Sequence, residues 1–116
     1  MEWFAARLLH IILIDDKKPR RRNDYDETVI VFRARSYPLA FKRALALGRA
    51  AETEYRNERG QRVRWAFVEV TTLDQVGKGV ESREVSSRLH ARTETKPVPF
   101  GRRFHPERSQ PQNSGI

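Results

Sequence analysis

The chain has 116 residues, 38% of them hydrophobic and 33% charged, and a formal net charge of +8 at pH 7. This length fits one domain with a modest core, because such a chain buries roughly 60 to 70% of the surface that its unfolded form exposes. The lack of cysteine excludes disulfides and thiolate metal sites and fits a reducing compartment, so we expect a cytoplasmic protein.

The first predicted element is a strand over residues 3–14, whose side chains alternate between two faces. The two sets are Phe4, Ala6, Leu8 and Ile12 on one face and Trp3, Arg7, Leu9 and Ile11 on the other. The nearly apolar run at residues 8–14 is far shorter than the roughly 20 residues that cross a membrane. We therefore expect no membrane partner.

A highly charged stretch follows, in which five cations are bracketed by five anions. The cations are Lys17, Lys18, Arg20, Arg21 and Arg22, and the anions are Asp15, Asp16, Asp24, Asp26 and Glu27. Beyond a Debye length of roughly 8 Å, such a segment is close to neutral. We therefore expect a solvated loop over residues 15–27, with a phosphate-binding arm at residues 17–22 as the alternative.

Residues 28–35 are predicted to form the second strand. Its apolar side chains alternate with polar ones, and one face ends in two arginines, which a closed core does not accommodate. The opposite face is therefore predicted to point at the core, and it carries Ile30, Phe32 and Ala34.

A helix is predicted over residues 37–50, with Ser36 as its N-cap and a proline tolerated in its first turn. Its predicted buried stripe is made mostly of alanine and glycine. The stripe consists of Tyr37, Ala40, Phe41, Ala44, Leu47, Gly48 and Ala51. A stripe of this kind brings the helix close to the sheet, where Phe32, Trp65 and Phe67 would fill the remaining space.

Residues 52–56 and 61–71 are predicted to pair as a β-hairpin. Asn57 followed by Gly60 suits a type I turn that closes on a left-handed glycine. The second strand of the hairpin is apolar on both faces, with Val63, Trp65 and Phe67 on one and Ala66, Val68 and Val70 on the other. A sheet built around this strand needs cover on both sides.

Beyond the hairpin we expect a loop over residues 72–76, a turn at residues 77–79 and a last strand over residues 84–91. The fold class is then α+β, a five-stranded and mainly antiparallel sheet in the order β-β-α-β-β-β, with one helix packed on one face. Four of the six prolines follow, without any apolar period. We therefore expect a single α+β domain over residues 1–92 and a Pro/Arg-rich flexible tail over residues 93–116.

Five stretches of the chain carry a resemblance to a known family. They are Trp-Phe-x-Ala-Arg-Leu-Leu at residues 3–9, Leu-Gly at 47–48, Tyr-x-Asn-x-x-Gly at 55–60, Val-x-Trp-x-Phe-Val at 63–68, and a segment from Gly-x-Glu to Arg-Leu at 79–89. In this order they resemble an uncharacterised bacterial family, the domain-of-unknown-function family four-two-eight-eight. The resemblance implies a small α+β domain in bacteria, and it carries over no catalytic or binding residue.

The residues that usually carry chemistry form no recognisable site. His10, His90 and His105 show no metal-ligand spacing with one another or with a carboxylate. The serines lack a nucleophile-elbow motif, and the chain has no glycine-rich phosphate loop. We therefore expect no enzymatic activity, no metal site and no cofactor.

The sheet face away from the helix is the predicted binding surface, because one helix covers one face only and leaves aliphatic side chains in water. The predicted interface residues are Trp3, Val29, Val31, Arg33, Arg35, Arg64, Val68, Val70 and Arg88. We expect a non-catalytic interaction domain that binds another protein or self-associates, most simply as a two-fold dimer across its four valines.

The alternative function is a nucleic-acid-binding module that uses the arginines of this face, residues 17–22 and the tail. The aliphatic side chains favour a protein partner, because valine and leucine offer no plane on which a base can stack.

Overall fold

The computed structural model of the chain describes residues 1–76 and 84–113. In chain order the elements are β1 (Glu2–Ile14), β2 (Arg20–Ala34), α1 (Tyr37–Ala50), β3 (Thr53–Arg56), β4 (Arg62–Val76), β5 (Glu84–Val98) and a 3₁₀ turn (Pro106–Arg108). The strands form one sheet in the order β3-β4-β1-β2-β5, and each neighbouring pair is antiparallel. Because α1 packs on one face of this sheet, the predicted α+β fold is confirmed. The turn predicted at residues 77–79 lies outside the described residues.

The helix begins and packs largely as its sequence predicts. The Ser36 hydroxyl accepts a hydrogen bond from the Leu39 N–H at 3.3 Å, which satisfies one of the free donors of the first turn. The small residues of the predicted stripe are buried, and they contact an apolar cluster on the sheet. The ends of the stripe differ, since Tyr37 and Ala51 are exposed, whereas Leu45, outside the stripe, is buried.

The helix approaches the sheet closely at Gly48. A Cβ atom at this position would stand 2.3 Å from the ring of Phe67, so only glycine fits. His10 on β1 stacks on the same ring, with 5.1 Å between centroids, and its Nε2 donates to the Gly48 carbonyl at 2.8 Å. The neighbouring carbonyls of Leu47 and Arg49 accept from the backbone N–H groups of Ala51 and Glu52, so three of the last four carbonyls of α1 are hydrogen-bonded.

Two β-bulges in β4 change which of its side chains face the helix. The pairing of β4 with β1 shifts register at residues 7–8 and at residues 9–10 of β1, where two residues of β4 oppose one. Val70 therefore turns to the helix side and is fully buried there, and its predicted place on the other face is wrong. β4 also continues to Val76, because residues 72–76 pair with residues 3–7 of β1, so the loop predicted there is wrong.

The second strand begins at Arg20, so the predicted loop over residues 15–27 is wrong for most of its length. The strand forms because Tyr25 is buried against the sheet face opposite α1, called here the non-helix face. The charged neighbours find partners: Thr28 Oγ1 donates to Asp26 at 2.7 Å, and Glu27 accepts from arginines of β5. The sequence analysis misses this part of the strand because charged residues obscure the alternation of its side chains.

Residues 99–113, called here the C-terminal segment, lie across the non-helix face. The sequence predicts a flexible tail from residue 93, whereas β5 runs to Val98 and the predicted domain boundary falls inside this strand. Phe100 and Phe104 then pack against an apolar cluster made of Leu9, Ile11, Leu13, Tyr25, Ala66 and Val98. The apolar area that these two rings bury contributes to offsetting the entropy of ordering a proline-rich chain.

The C-terminal segment also closes an edge of the sheet. β3 pairs with β4 only as far as Trp65, so the outer backbone groups of the rest of β4 need other partners. Val70 N–H donates to Ser109 Oγ at 3.0 Å, and the backbone of Gln112 bonds to Thr71 and Leu73 at 3.1 Å each. The segment therefore covers apolar side chains and also satisfies polar backbone groups.

The Gly48 contact gives a first prediction. Gly48→Ala places a methyl group within the Phe67 ring, and we expect it to lower the free energy of unfolding by about 1 to 3 kcal/mol. Chemical denaturation measures this difference. Gly101→Ala is the control, because no atom lies within 4 Å of its added Cβ, and it should change stability by less than about 0.5 kcal/mol. Equal stability of the two variants would contradict the close contact.

The docking of the C-terminal segment gives a second prediction. Phe104→Ala removes a half-buried ring from the cluster on the non-helix face, and we expect a loss of about 1 to 3 kcal/mol of stability. The adjacent Arg103→Ala changes an exposed side chain and should have little effect. Thermal unfolding compares the two variants, and a Phe104→Ala protein as stable as the Arg103→Ala protein would mean that the segment is not docked in solution.

Candidate functional site

The nine predicted interface residues do not form one continuous surface. Val70 lies on the helix side, and Val31 is buried, so neither valine is available for a contact with a second chain. Val68 and Arg64 lie on the non-helix face but under the C-terminal segment. The predicted interface residues that remain accessible are Trp3, Val29, Arg33, Arg35 and Arg88. The four-valine dimer contact is therefore not present as a free surface.

The covered half of the non-helix face is held by arginines and aromatic rings. The Arg64 Nη1 donates to the carbonyls of Phe100 and Arg102 at 2.9 and 2.8 Å. Its guanidinium also lies 6.0 Å from the Phe104 ring centre, while that of Arg62 lies 4.8 Å from the Phe100 ring. Such cation–π contacts contribute about 0.5 to 1 kcal/mol each at exposed sites. Arg64, predicted as a binding residue, thus anchors the chain's own C-terminal segment.

The accessible half of this face is centred on a cation–π pair. Trp3 on β1 lies directly opposite Arg33 on β2, and the Arg33 guanidinium is 5.4 Å from the centre of the Trp3 ring. Trp3 is half-buried and Arg33 is exposed, and within residues 1–76 and 84–113 Arg33 makes no ion pair. We call the five accessible residues (Trp3, Val29, Arg33, Arg35 and Arg88) the Trp3 patch.

A titratable cluster lies where β2 pairs with β5. The Tyr25 hydroxyl donates to a carboxylate oxygen of Glu94, and the Tyr25 ring stacks on His90 with 5.8 Å between centroids. Burial raises the pKa of Tyr25 well above its ordinary value, and the hydrogen bond to Glu94 raises it further. Arg92 lies over the same ring and donates to His90 Nε2 at 3.0 Å. Because its hydroxyl is buried and hydrogen-bonded to Glu94, Tyr25 holds its proton firmly and links β2 to β5.

The histidines and tryptophans fall in separate surroundings. His10 is buried under the helix, His90 stacks on Tyr25, and His105 lies exposed in the C-terminal segment. Among the described residues, no group of three or more His, Cys, Asp or Glu side chains is placed to hold a metal ion.

Trp65 differs from its prediction: it is half-buried outside the helix cluster, and its Nε1 has no hydrogen-bond partner in the described chain.

The sequence reasoning misses the aromatic residues that fill the non-helix face. Phe100 and Phe104 stand among prolines and arginines, where no alternation marks them as core residues. The available signal is indirect: a strand apolar on both faces needs a second cover, and these are the last aromatic residues of the chain. Tyr25 is missed similarly, because charges surround it.

Comparison with known proteins adds one match. A sequence profile described as Domain of unknown function (DUF4288) matches residues 3–87. The chain belongs to this family. The match covers β1 to β4 and the start of β5, and it agrees with the family that the sequence motifs resemble. The search of curated proteins gave no match, and neither did the search of solved structures.

The DUF4288 match includes most of the Trp3 patch but not the C-terminal segment. Four residues of the Trp3 patch (Trp3, Val29, Arg33 and Arg35) lie within the matched region, whereas Arg88 and the C-terminal segment lie beyond it. In the part of the chain that the structure describes, no helix is long and apolar enough to span a membrane.

The raised pKa of Tyr25 gives a third prediction. An unfolded tyrosine loses its proton near pH 10, whereas folded Tyr25 keeps it, so the free energy of unfolding is unaffected below about pH 10 and falls as the pH rises further. Tyr25→Phe should remove this alkaline loss. Chemical denaturation of both proteins at neutral pH and above pH 10 compares the slopes. Identical alkaline slopes would contradict the burial of the Tyr25 hydroxyl.

Proposed function

We propose that this DUF4288 domain is a non-catalytic interaction domain that binds a protein partner through the Trp3 patch. The observation that carries the proposal is the Trp3–Arg33 pair, which lies on the half of the non-helix face that the C-terminal segment leaves open. Tryptophan and arginine are the residue types that most often dominate the binding energy of protein interfaces. No catalytic group is needed for this role.

The charge of the patch favours a partner with an acidic surface over a second copy of the chain. Arg33 and Arg35 are exposed and have no ion-pair partner in residues 1–76 and 84–113. Only Arg88 is paired, with Glu27 at 3.3 Å. A two-fold contact would bring arginines of both copies together, and like charges across an interface oppose binding. Since the valines of the predicted dimer contact are largely covered, little apolar area is left to offset this repulsion.

Light scattering over a concentration series tests the choice of partner first, and we expect a monomer throughout. A dimer that Trp3→Ala dissociates would instead make a second copy the partner.

Candidate partners are obtained by cross-linking in extract and are then purified for direct binding. Trp3 serves as the probe in a Trp65→Phe background, because the chain has only two tryptophans. Binding at the patch should shift the emission of Trp3.

Our fourth prediction is that Trp3→Ala and Arg33→Glu each weaken binding of the purified partner by about 2 kcal/mol or more, roughly 30-fold. Lys42→Glu is the matched control for charge, because Lys42 is exposed on the helix, on the other side of the sheet. Titration calorimetry compares the variants. Equal weakening by Arg33→Glu and Lys42→Glu would indicate attraction by net charge alone and would reject the patch.

Nucleic acid is the second candidate partner, and the geometry of β2 favours it more than the sequence does. Asp26 and Glu27 balance the nearby cations in the sequence, but they lie on β2, where Glu27 is engaged by Arg88 and Arg92. Of the five cations at residues 17–22, Arg20 pairs with Asp16, and the other four form no ion pair within residues 1–76 and 84–113. We expect weak binding to single-stranded RNA with a steep salt dependence. Nanomolar affinity at physiological salt, measured by fluorescence anisotropy, would favour this candidate over the protein partner.

A further inference from the structure

A second concave site lies at the edge of β4, away from the Trp3 patch. It is a pocket of about 580 Å³ between the end of α1, the edge of β4 near Phe67 and the C-terminal segment. This volume lies in the range of roughly 300 to 1,000 Å³ that is typical of small-molecule sites. The charged side chains that line it are Arg49, Glu52, Arg64, Arg103, Glu107 and Arg108.

Two of these charges are already satisfied within the protein. Glu107 accepts from Arg49 at 3.4 Å and from His105 at 3.2 Å. The pKa of Glu107 is below its ordinary value, chiefly because its carboxylate accepts a hydrogen bond from its own backbone N–H, with His105 and Arg49 adding to the effect. Arg49 and Glu107 therefore neutralise each other at the rim of the pocket.

The remaining charges leave the pocket positive. Arg64, Arg103 and Arg108 form no ion pair with any carboxylate in residues 1–76 and 84–113. Glu52 is the one carboxylate left, and it accepts a hydrogen bond from the Phe67 N–H at 3.1 Å. Three guanidiniums thus exceed the charge of Glu52 by two.

One of the three arginines is held in place before any ligand binds. Arg64 donates to the carbonyls of Phe100 and Arg102 through one guanidinium nitrogen, and its plane lies near the Phe104 ring. A guanidinium has five donors, so most of those of Arg64 remain available. A fixed guanidinium loses little freedom on binding, which favours affinity.

We propose that this pocket binds the phosphate group of a small phosphorylated molecule. A phosphate monoester carries a charge of about −1.5 to −2 at pH 7 and has three acceptor oxygens, which matches an excess of two positive charges and three arginines. A single carboxylate would neutralise only half of this excess. The concave walls admit a small molecule, whereas the phosphates of a nucleic-acid strand would need an extended basic surface.

The test titrates pyrophosphate into the full chain. Calorimetry and the NMR chemical shifts of the backbone amides follow the binding. We expect saturable binding, with the largest amide shifts at residues 49–52 and 103–108. The double variant Arg103→Gln with Arg108→Gln should weaken binding by at least about 10-fold, because charge-assisted hydrogen bonds are lost. Both side chains are exposed and make no hydrogen bond within the described chain, so the variant should fold normally.

Lys18→Gln with Arg59→Gln is the matched control, since it removes the same charge from exposed positions outside the pocket. It should leave pyrophosphate binding nearly unchanged. Equal weakening by both double variants would reduce the effect to general charge attraction and overturn the proposal. So would the absence of saturable binding, or amide shifts confined to other residues.

Two further probes identify the chemistry of the ligand. Citrate should bind more weakly than pyrophosphate, and tighter binding of citrate at the same amides would make the ligand a polycarboxylate and overturn the phosphate assignment. A short single-stranded oligonucleotide should not shift these amides more than pyrophosphate does. If it does so while pyrophosphate leaves them unchanged, the pocket is part of a nucleic-acid surface and the proposal is wrong.

Discussion

The fold depends on the contact between the Gly48 backbone and the Phe67 ring. Because residue 48 has no side chain, α1 lies close enough to the sheet for the Gly48 carbonyl to reach His10 of β1. His10 donates to the Gly48 carbonyl and stacks on Phe67, so one buried histidine joins the helix end to two strands. The carbonyl can only accept, so Nε2 of His10 carries the proton. His10 is therefore a structural histidine, and the tight approach fixes which sheet face the helix covers.

The second face of the sheet is closed by the chain itself, and the two bulges of β4 explain how. Where β4 bulges, its outer backbone groups lack a neighbouring strand, because β3 has only four residues. An exposed strand edge of this kind invites pairing with other chains. Ser109 and Gln112 occupy it, which brings Phe104 over the apolar cluster on the way. The C-terminal segment thus protects the strand edge and also covers the apolar cluster.

The sequence predicts those parts of the fold whose signal is local. The Ser36 cap, the small stripe of α1 and the left-handed Gly60, which has a φ of 76°, follow from single residues and their spacing. Val70 is misplaced because a bulge adds a residue to a strict alternation, and nothing local marks a bulge. Val68 and Arg64 are predicted to lie on an open face, but they are covered by residues far along the chain. Such long-range contacts are set by topology, which alternation cannot reveal.

The two proposed sites depend differently on the C-terminal segment. Arg103 and Arg108 belong to this segment, and Arg64 is positioned by its carbonyls, so the arginine pocket exists only while the segment is docked. The Trp3–Arg33 pair is held by the pairing of β1 with β2 and needs no part of it. Residues 3–87 match DUF4288, so this pair lies in the part shared with the family and the pocket depends on residues beyond it. A change that releases the segment would therefore expose Leu9, Ile11 and Leu13 and abolish the pocket, while Trp3 and Arg33 would still face each other.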